Sequence, residues 1–151
     1  MDKADSDPPP SGRFADGVHR FPIRVYFEDT DLTGAVYHAG YLRFMERARS
    51  DMLRVAGIGQ RRAFEAGEGA YAVVELAIRY RRPAKLDDDL LVSSKIAQIR
   101  SASCTIHQRV IRDQELLSDA DVTVAFIGLD GRPRRQPRAW VETFERLKGE
   151  G

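Results

Sequence analysis

One change in the spacing of apolar residues limits the fold of this chain more than any other feature. From Phe21 to Phe27 apolar residues stand at every second position, whereas from about position 38 to position 56 they recur at every third or fourth. The second spacing predicts one long amphipathic helix with a broad buried face, ended by Gly57. That face holds Tyr41, Leu42, Phe44, Met45, Ala48, Met52, Leu53 and Val55.

Strands flank this helix in the sequence. The alternation before it predicts a strand with one buried face, and Pro22 places the start of that strand at a sheet edge. After the helix come four consecutive runs of strand character joined by short turns, which favours antiparallel pairing. These runs cover residues 74–81, 90–100, 103–112 and 116–126, and the first places Val74, Leu76, Ile78 and Tyr80 on one face.

The sequence therefore predicts an α+β fold in which an antiparallel five-stranded sheet wraps around one long central helix. Two smaller helices are expected, one over residues 60–66 and a terminal one with Pro137 in its first turn. A single sheet layer around one helix leaves strand edges and apolar surface uncovered. We therefore expect a homodimer or homotetramer.

The length of 151 residues suits one domain, which we place at residues 18–148. Residues 1–17 hold four aspartates and three consecutive prolines, a composition typical of a disordered or loosely attached tail. The tail lacks the apolar stretch of a secretory signal. The single cysteine, Cys104, excludes an intrachain disulfide and suits a reducing compartment, so we expect a cytoplasmic protein.

Charge and hydropathy weigh against two classes of partner. The chain has 24 Lys and Arg residues against 23 Asp and Glu residues, a net charge of +1. This balance does not favour binding to nucleic acid or to an anionic membrane surface. No apolar run approaches the ~18 residues that a membrane-spanning helix needs. We expect neither nucleic-acid binding nor membrane insertion.

Chemically active side chains concentrate between the first strand and the long helix, where Glu28, Asp29 and Asp31 precede His38. The start of a helix presents free backbone N–H groups and a partial positive charge. A carboxylate beside a carbonyl polarised there can act as nucleophile or general base. The neighbouring carboxylates disfavour the charge of Asp31, and the helix dipole favours it. Spacing alone leaves open that Asp29 or Asp31 only caps the helix or fills a turn.

Three other chemistries fit the residue types less well. Glu28, Asp29 and Asp31 offer hard oxygen ligands, but the spacing of an EF-hand is absent, and the three histidines are too scattered for zinc. Asp29, Asp31 and Thr33 match a phosphatase nucleophile loop, which needs an alternating α/β chain that this sequence does not predict. Cys104 lies mid-strand on an apolar face, so we expect a buried, inert thiol.

The same stretch resembles a known family. The matching runs are Val25-Tyr26-Phe27-Glu28-Asp29-Thr30-Asp31, Gly34, Val36-Tyr37-His38-Ala39, Tyr41-Leu42 and Phe44-Met45-Glu46-Arg47-Ala48-Arg49. They are similar to the hotdog-fold acyl-CoA thioesterases of the 4-hydroxybenzoyl-CoA type, and most of all to their Tol–Pal-associated branch. The resemblance extends from about His19 to Lys148 and includes the runs Tyr80-Arg81-Arg82-Pro83-Ala84 and Gly131-Arg132-Pro133.

The resemblance implies hydrolysis of an acyl-CoA thioester to free acid and CoA without a metal or redox cofactor. It places the catalytic carboxylate on Asp31 and the helix-end amide that polarises the carbonyl on His38. It places Glu46 near the acyl group of a neighbouring subunit. The implied substrate-binding residues are Gly34, Tyr37, Tyr41, Glu46, Arg100 and Ser101, with Arg132, Arg134 and Arg135 as a second candidate for nucleotide contacts. Tyr41 and Phe44 could line an acyl pocket, but both fit the apolar face of the helix, so a core role is expected for them.

Two alternatives remain open. A hotdog dehydratase uses a histidine and a carboxylate across an interface, and His38 keeps that function open. A non-catalytic module would bind acyl-CoA or acyl carrier protein without turnover, and the carboxylate of Asp31 favours an enzyme over such a module. The expected partner is an acyl-CoA substrate, with acyl carrier protein as the alternative carrier.

Overall fold

The structure is a computed structural model that describes residues 3–150; Met1 and Asp2 of the predicted tail lie outside the described residues. Nine helices and strands follow one another along this part of the chain, together with 3₁₀ turns at Lys3–Asp5 and Phe27–Asp29. Their bounds are β1 Arg13–Ala15, β2 Val18–Arg24, α1 Gly40–Val55, α2 Gln60–Glu65, β3 Ala70–Tyr80, β4 Asp89–Ile99, β5 Ser103–Arg112, β6 Glu115–Ile127 and α3 Arg138–Glu150.

The long predicted helix is α1, and it forms the centre of the core. Phe44, Met45, Ala48 and Met52 are at most 1% exposed, and they pack with buried residues of the strands, such as Val92. The helix begins at Gly40 and not at His38, because residues 38–39 form a turn that leads into it. The start of α1 therefore lies directly beside the segment where the sequence concentrates its chemistry.

All strand pairs of the sheet are antiparallel, in the order β1-β2-β4-β5-β6-β3. The predicted α+β class and antiparallel sheet are confirmed, but the predicted count of five strands is wrong, because β1 adds a sixth. It lies within the segment assigned to a loose tail and pairs with β2 through the turn Asp16-Gly17. Both turn residues have positive φ, 52° and 76°, as a two-residue hairpin turn requires.

Four residues predicted on apolar faces are exposed: Val55, Tyr80, Phe27 and Val74. The last two are the most exposed. Phe27 is 82% exposed, because β2 ends at Arg24 and the chain then enters the 3₁₀ turn. Val74 is 59% exposed, because a bulge between Val73 and Glu75 inserts it as an extra residue in β3. The bulge shifts the alternation that the sequence predicts for this strand.

Strand β3 is one edge of the sheet, since it pairs only with β6 within the described chain. On the opposite edge β1 covers only the first part of β2, which leaves Pro22 beyond the paired stretch. Helix α3 packs against β4. None of the helices within residues 3–150 is long and apolar enough to cross a bilayer.

His19 joins the N-terminal segment to α1. Its ring is fully buried beside those of Phe14 and Phe21, and its Nε2 lies 2.7 Å from Oδ2 of Asp51. The same carboxylate oxygen accepts the N–H of Gly12 at 2.8 Å. Nδ1 of His19 has no partner within the described residues. Burial lowers the pKa of His19 and outweighs the opposing effect of Asp51, so the folded chain favours neutral imidazole.

We expect the free energy of unfolding to fall as the pH drops through about 6.5, the ordinary pKa of histidine. The unfolded chain binds a proton on His19 in this range, while the folded chain binds one only at lower pH, so protons favour unfolding. Urea unfolding at about pH 7.5 and about pH 5.5 measures the effect. The free energy of unfolding of the unaltered protein minus that of His19→Phe should be larger at the higher pH. An equal difference at both pH values would contradict the expectation.

Candidate active site

Residues 25–39 connect β2 to α1. The part of this connection that covers residues 29–38 is called the Asp31 turn below. It is anchored at its start by Asp29, whose Oδ2 accepts the N–H of Tyr26 at 2.9 Å. Thr30 pairs with Val36 across the turn, and the N–H of Val36 donates to the carbonyl of Ala84 at 2.8 Å. The turn is thus held by its own backbone and by the segment that precedes β4.

Gly34 allows this segment to reverse direction. The N–H of Asp31 donates to the carbonyl of Ala35 at 2.9 Å, and the N–H of Gly34 donates to the carbonyl of Asp31 at 3.1 Å. Gly34 has a φ of +81°, in the left-handed region where a side chain is disfavoured. Gly34, which the sequence predicts as a site residue, therefore acts through its backbone conformation. It shapes the loop that carries Asp31.

The carboxylate of Asp31 is exposed to solvent, and one of its two oxygens accepts hydrogen bonds from the protein. Its Oδ1 accepts the backbone N–H of Thr33 at 2.8 Å and also the hydroxyl of Thr33. These hydrogen bonds, the hydroxyl first, hold the pKa of Asp31 below its ordinary value. Oδ2 makes no hydrogen bond within residues 3–150. The sequence points to neighbouring carboxylates and to the helix dipole as the influences on Asp31, and it misses Thr33.

His38 presents a free backbone donor. The peptide that carries its N–H is fixed at the carbonyl end, since the carbonyl of Tyr37 accepts the N–H of Gly40 at 2.7 Å. The carbonyl of His38 accepts the hydroxyl of Tyr80 at 2.6 Å. Because a trans peptide points its N–H away from its carbonyl, these bonds orient the His38 N–H, which has no acceptor among the described residues. The imidazole contacts the ring of Tyr37, with 4.3 Å between the ring centroids and a tilt of 45° between the ring planes.

An open groove of about 310 Å³ lies beside His38. Its lining includes His38, Tyr41 and Tyr80, whereas the Tyr37 side chain is half-exposed beside it. Tyr41 is 3% exposed, and its hydroxyl accepts the N–H of Ala84 at 2.9 Å. The body of Tyr41 belongs to the core, and only its edge reaches the groove.

Glu46 lies on α1 next to a buried polar network. Its Oε2 accepts a hydrogen bond from Nη2 of Arg49 at 2.7 Å, while Nη1 of Arg49 donates to Oε1 of Gln108 at 2.8 Å. Gln108 is fully buried and in turn donates to the carbonyl of Met45 and to the hydroxyl of Ser94. The sequence predicts Glu46 as a site residue but neither Arg49 nor Gln108. The contact between Arg49 and Gln108 spans 59 positions, so no local pattern reveals it.

Arg100 and Ser101 lie elsewhere. They form the turn between β4 and β5, whereas the Asp31 turn follows Arg24, which pairs with Asp89 at the opposite end of β4. An eleven-residue strand separates the two ends, roughly 33 Å at strand rise. One chain therefore does not bring Arg100 and Ser101 to Asp31. In the second candidate cluster, Arg134 donates to the carbonyls of Gly67 and Glu68.

The rival chemistries find little support in this arrangement. Cys104 is buried, its thiol donates to Oε1 of Gln136 at 3.1 Å, and burial raises its pKa to about 11, so the thiol stays protonated and unreactive. No group of three or more metal-ligating side chains gathers within residues 3–150. The antiparallel sheet lacks the parallel strand after which a phosphatase nucleophile loop would stand.

Comparisons with known proteins give the family of the chain. The model of the thioesterase-like superfamily matches residues 25–144. The acyl-CoA thioesterase YbgC of Haemophilus influenzae is 41% identical over 134 residues, which are 88% of this chain and 98% of that protein. The structure of a probable thioesterase from Bartonella henselae has a TM-score of 0.75 and 36% identity, covering 80% of this chain and 99% of that one.

A third likeness concerns the fold alone. A 4-hydroxybenzoyl-CoA thioesterase in complex with 4-hydroxybenzoyl-CoA has a TM-score of 0.77 at 23% identity, covering 83% of this chain and 97% of that one. The predicted resemblance to hotdog thioesterases of this type is confirmed. The chain therefore belongs to the thioesterase-like superfamily, and it is a thioester hydrolase with the hotdog fold.

Proposed function

We propose that the chain hydrolyses acyl-CoA thioesters at the Asp31 turn and releases a free carboxylic acid and CoA. One observation carries the proposal. The turn holds an exposed carboxylate on Asp31 and, seven positions on, the backbone N–H of His38, which finds no acceptor in the described part of the chain, just before α1. A placed carboxylate and a preorganised oxyanion donor are the two groups that thioester hydrolysis needs most.

The carboxylate acts as general base or as nucleophile. As a base, Asp31 removes a proton from water while the water oxygen attacks the carbonyl carbon, and the carbonyl oxygen gains negative charge against the His38 N–H. The C–S bond then breaks, and the thiolate takes up the proton. As a nucleophile, Asp31 forms a mixed anhydride with release of the thiolate, and water cleaves the anhydride. A thiol with a pKa of about 8.5 leaves without a dedicated acid.

The hydrogen bonds from Thr33 suit both routes. They lower the pKa of Asp31, which extends its ionised range toward acid pH while making it a weaker base, and they occupy Oδ1. Oδ2 then remains for the attacking water or for the carbonyl carbon. Thr33 is thus a positioning residue, because it orients the carboxylate without touching the thioester.

Free-thiol release from a panel of acyl-CoA and acyl carrier protein substrates tests the function. Steady turnover of at least one acyl-CoA supports a thioesterase. Binding without thiol release would favour the non-catalytic module, and release of water from a hydroxyacyl thioester without thiol release would favour the dehydratase.

Replacing His38 with alanine should lower kcat by about tenfold or less. The backbone N–H that we assign to the oxyanion remains in the variant, and only the exposed imidazole is lost. If the imidazole were a general acid or base, the loss would approach ~10²- to 10⁴-fold, and the pH profile of the variant would lose one limb. Measuring kcat and melting temperature together separates these roles, because a purely structural imidazole would change the melting temperature but not turnover.

We further propose that the active form is a homodimer or homotetramer in which β3 pairs with its copy. Its outer edge is unpaired in the described chain, and Val73, Val74 and Tyr80 on it are 45%, 59% and 47% exposed. Such an edge invites pairing with another strand. Tyr80 marks the end of β3 beside His38, and Val73 lies roughly 20 Å along the strand. A two-fold antiparallel pair would therefore place each Asp31 turn next to the Val73 end of the partner.

A further inference from the structure

A cavity lies between α1 and the sheet at the Val73 end of β3. It has a volume of about 70 Å³. Its walls are mainly apolar and come from α1, the inner strands and α3, with Met52, Leu53, Ile106 and Phe144 as members. An apolar chamber with a few convergent polar groups is the usual form of a small-molecule site.

Arg49 is the polar group that sets this cavity apart. Its side chain lines the cavity and is only 8% exposed. A guanidinium has five N–H donors, but the acceptors that Arg49 finds within residues 3–150 are Gln108 and Glu46, one bond each. Its remaining donors, Nε–H among them, have no acceptor in the described chain. Nε is not among the fully buried unpartnered side-chain atoms of residues 3–150, so it reaches accessible space and can donate to an acceptor that a ligand brings.

Gln108 fixes the direction of these free donors. It is fully buried, and its own two hydrogen bonds to Met45 and Ser94 hold its amide in place. The guanidinium is therefore locked on one side by Gln108 and on the other by Glu46. This preorganisation lowers the cost of binding an acceptor at the remaining donors.

We infer that the cavity opens beside Glu46. That residue lines both the cavity and an open groove on the outer face of α1, which Arg43 and Arg47 also line. Three arginines and one glutamate thus surround the route, so it carries a net positive charge. Its charge admits an acyl group that ends in a neutral oxygen or in a carboxylate.

We propose that this cavity receives the far end of the acyl group, and that Arg49 selects acyl groups with a hydroxyl, keto or carboxylate oxygen there over plain alkyl chains of equal length. The proposal rests on the proposed thioesterase function. The β3 pairing described above would place the cavity next to the Asp31 turn of the partner. Arg49 is then a specificity-determining residue for the reaction.

Matched acyl-CoA substrates test the selection on the full chain. The six-carbon set is hexanoyl-CoA, 6-hydroxyhexanoyl-CoA and adipoyl-CoA, and the eight-carbon set is octanoyl-CoA, 8-hydroxyoctanoyl-CoA and suberoyl-CoA. We expect kcat/KM for at least one oxygen-bearing member to exceed that of the plain member by about tenfold or more. Comparison of the hydroxyl and carboxylate members shows which oxygen the site takes. Equal kcat/KM within both sets would overturn the proposal.

Two variants assign the selection to Arg49. In Arg49→Met the ratio between oxygen-bearing and plain substrates should fall to near one. Arg54→Met is the control, because Arg54 is an exposed arginine of the same helix and lines neither the cavity nor the groove. Its ratio should equal that of the unaltered protein. A ratio that survives in a folded Arg49→Met protein would also overturn the proposal.

Binding of non-hydrolysable thioether analogues to the unaltered protein tests the selection without turnover and without the Arg49→Met variant. The unaltered protein should bind the ω-carboxyalkyl or ω-hydroxyalkyl thioether of CoA about tenfold or more tightly than the matching alkyl thioether. If Arg49→Met does not fold, this comparison decides alone, and equal affinity counts against the cavity. If no acyl-CoA is hydrolysed but the analogues bind with this preference, the proposed hydrolysis fails and the selection by Arg49 stands.

Discussion

Replacement of Asp31 by asparagine should lower kcat by ~10²-fold or more while the protein remains folded. Asparagine keeps the shape of the side chain, and its oxygen can still accept the hydrogen bonds from the N–H and hydroxyl of Thr33. It has no charged oxygen to attack a carbonyl or to take a proton from water. Because Asp31 is exposed, the melting temperature should change little. Thiol release at saturating acyl-CoA measures the loss.

Two variants in the same turn serve as controls. Asp29→Asn alters a carboxylate whose role in the structure is to accept the N–H of Tyr26, so its effect on kcat should be far smaller. Thr33→Val removes one donor to Asp31 and should shift the acid limb of the pH profile to higher pH, because the hydroxyl is the first cause of the lowered pKa. A folded Asp31→Asn protein with near-normal turnover would exclude the assignment. Equal losses in Asp29→Asn and Asp31→Asn would indicate a structural effect of the turn.

The sequence predicts the parts of the fold that follow from local periodicity. The stripe that includes Phe44, Met45 and Met52 repeats over enough turns to predict α1 within two residues at its start. The antiparallel sheet follows from consecutive strands with short connections. The sequence does not predict β1, although Asp16-Gly17 is a strong hairpin signal, because three residues are too few to show a period.

The candidate site is only partly predictable, for a physical reason. Asp31, Gly34 and His38 lie within one turn, so local sequence places them together. The partners of Arg49 and the separation of Arg100 from Asp31 depend on which strands pair. The bulge at Val74 depends on the register of β3 against β6. Contacts across the sheet carry no periodic signal in a single sequence, and a contribution from another subunit carries none either.

Strand β3 provides the second large expected effect. Val74→Lys should weaken the proposed pairing of β3 with its copy, because a lysine on the edge of a sheet opposes strand addition. Val74 is 59% exposed and is the extra residue of the bulge, so the chain itself should still fold. If each Asp31 turn is completed by the partner's cavity, the single-chain species should lose activity about tenfold or more.

Sedimentation velocity and thiol release at the same micromolar concentration measure assembly and turnover together. Val55→Lys is the matched control, since Val55 is a 39% exposed valine at the end of α1, away from the edge strand. It should leave both quantities unchanged. Raising the concentration of Val74→Lys should restore part of its turnover by mass action. A single-chain Val74→Lys protein with full turnover would show instead that one chain contains the whole site. The roughly 20 Å between Val73 and Tyr80 would then separate the cavity from the chemistry.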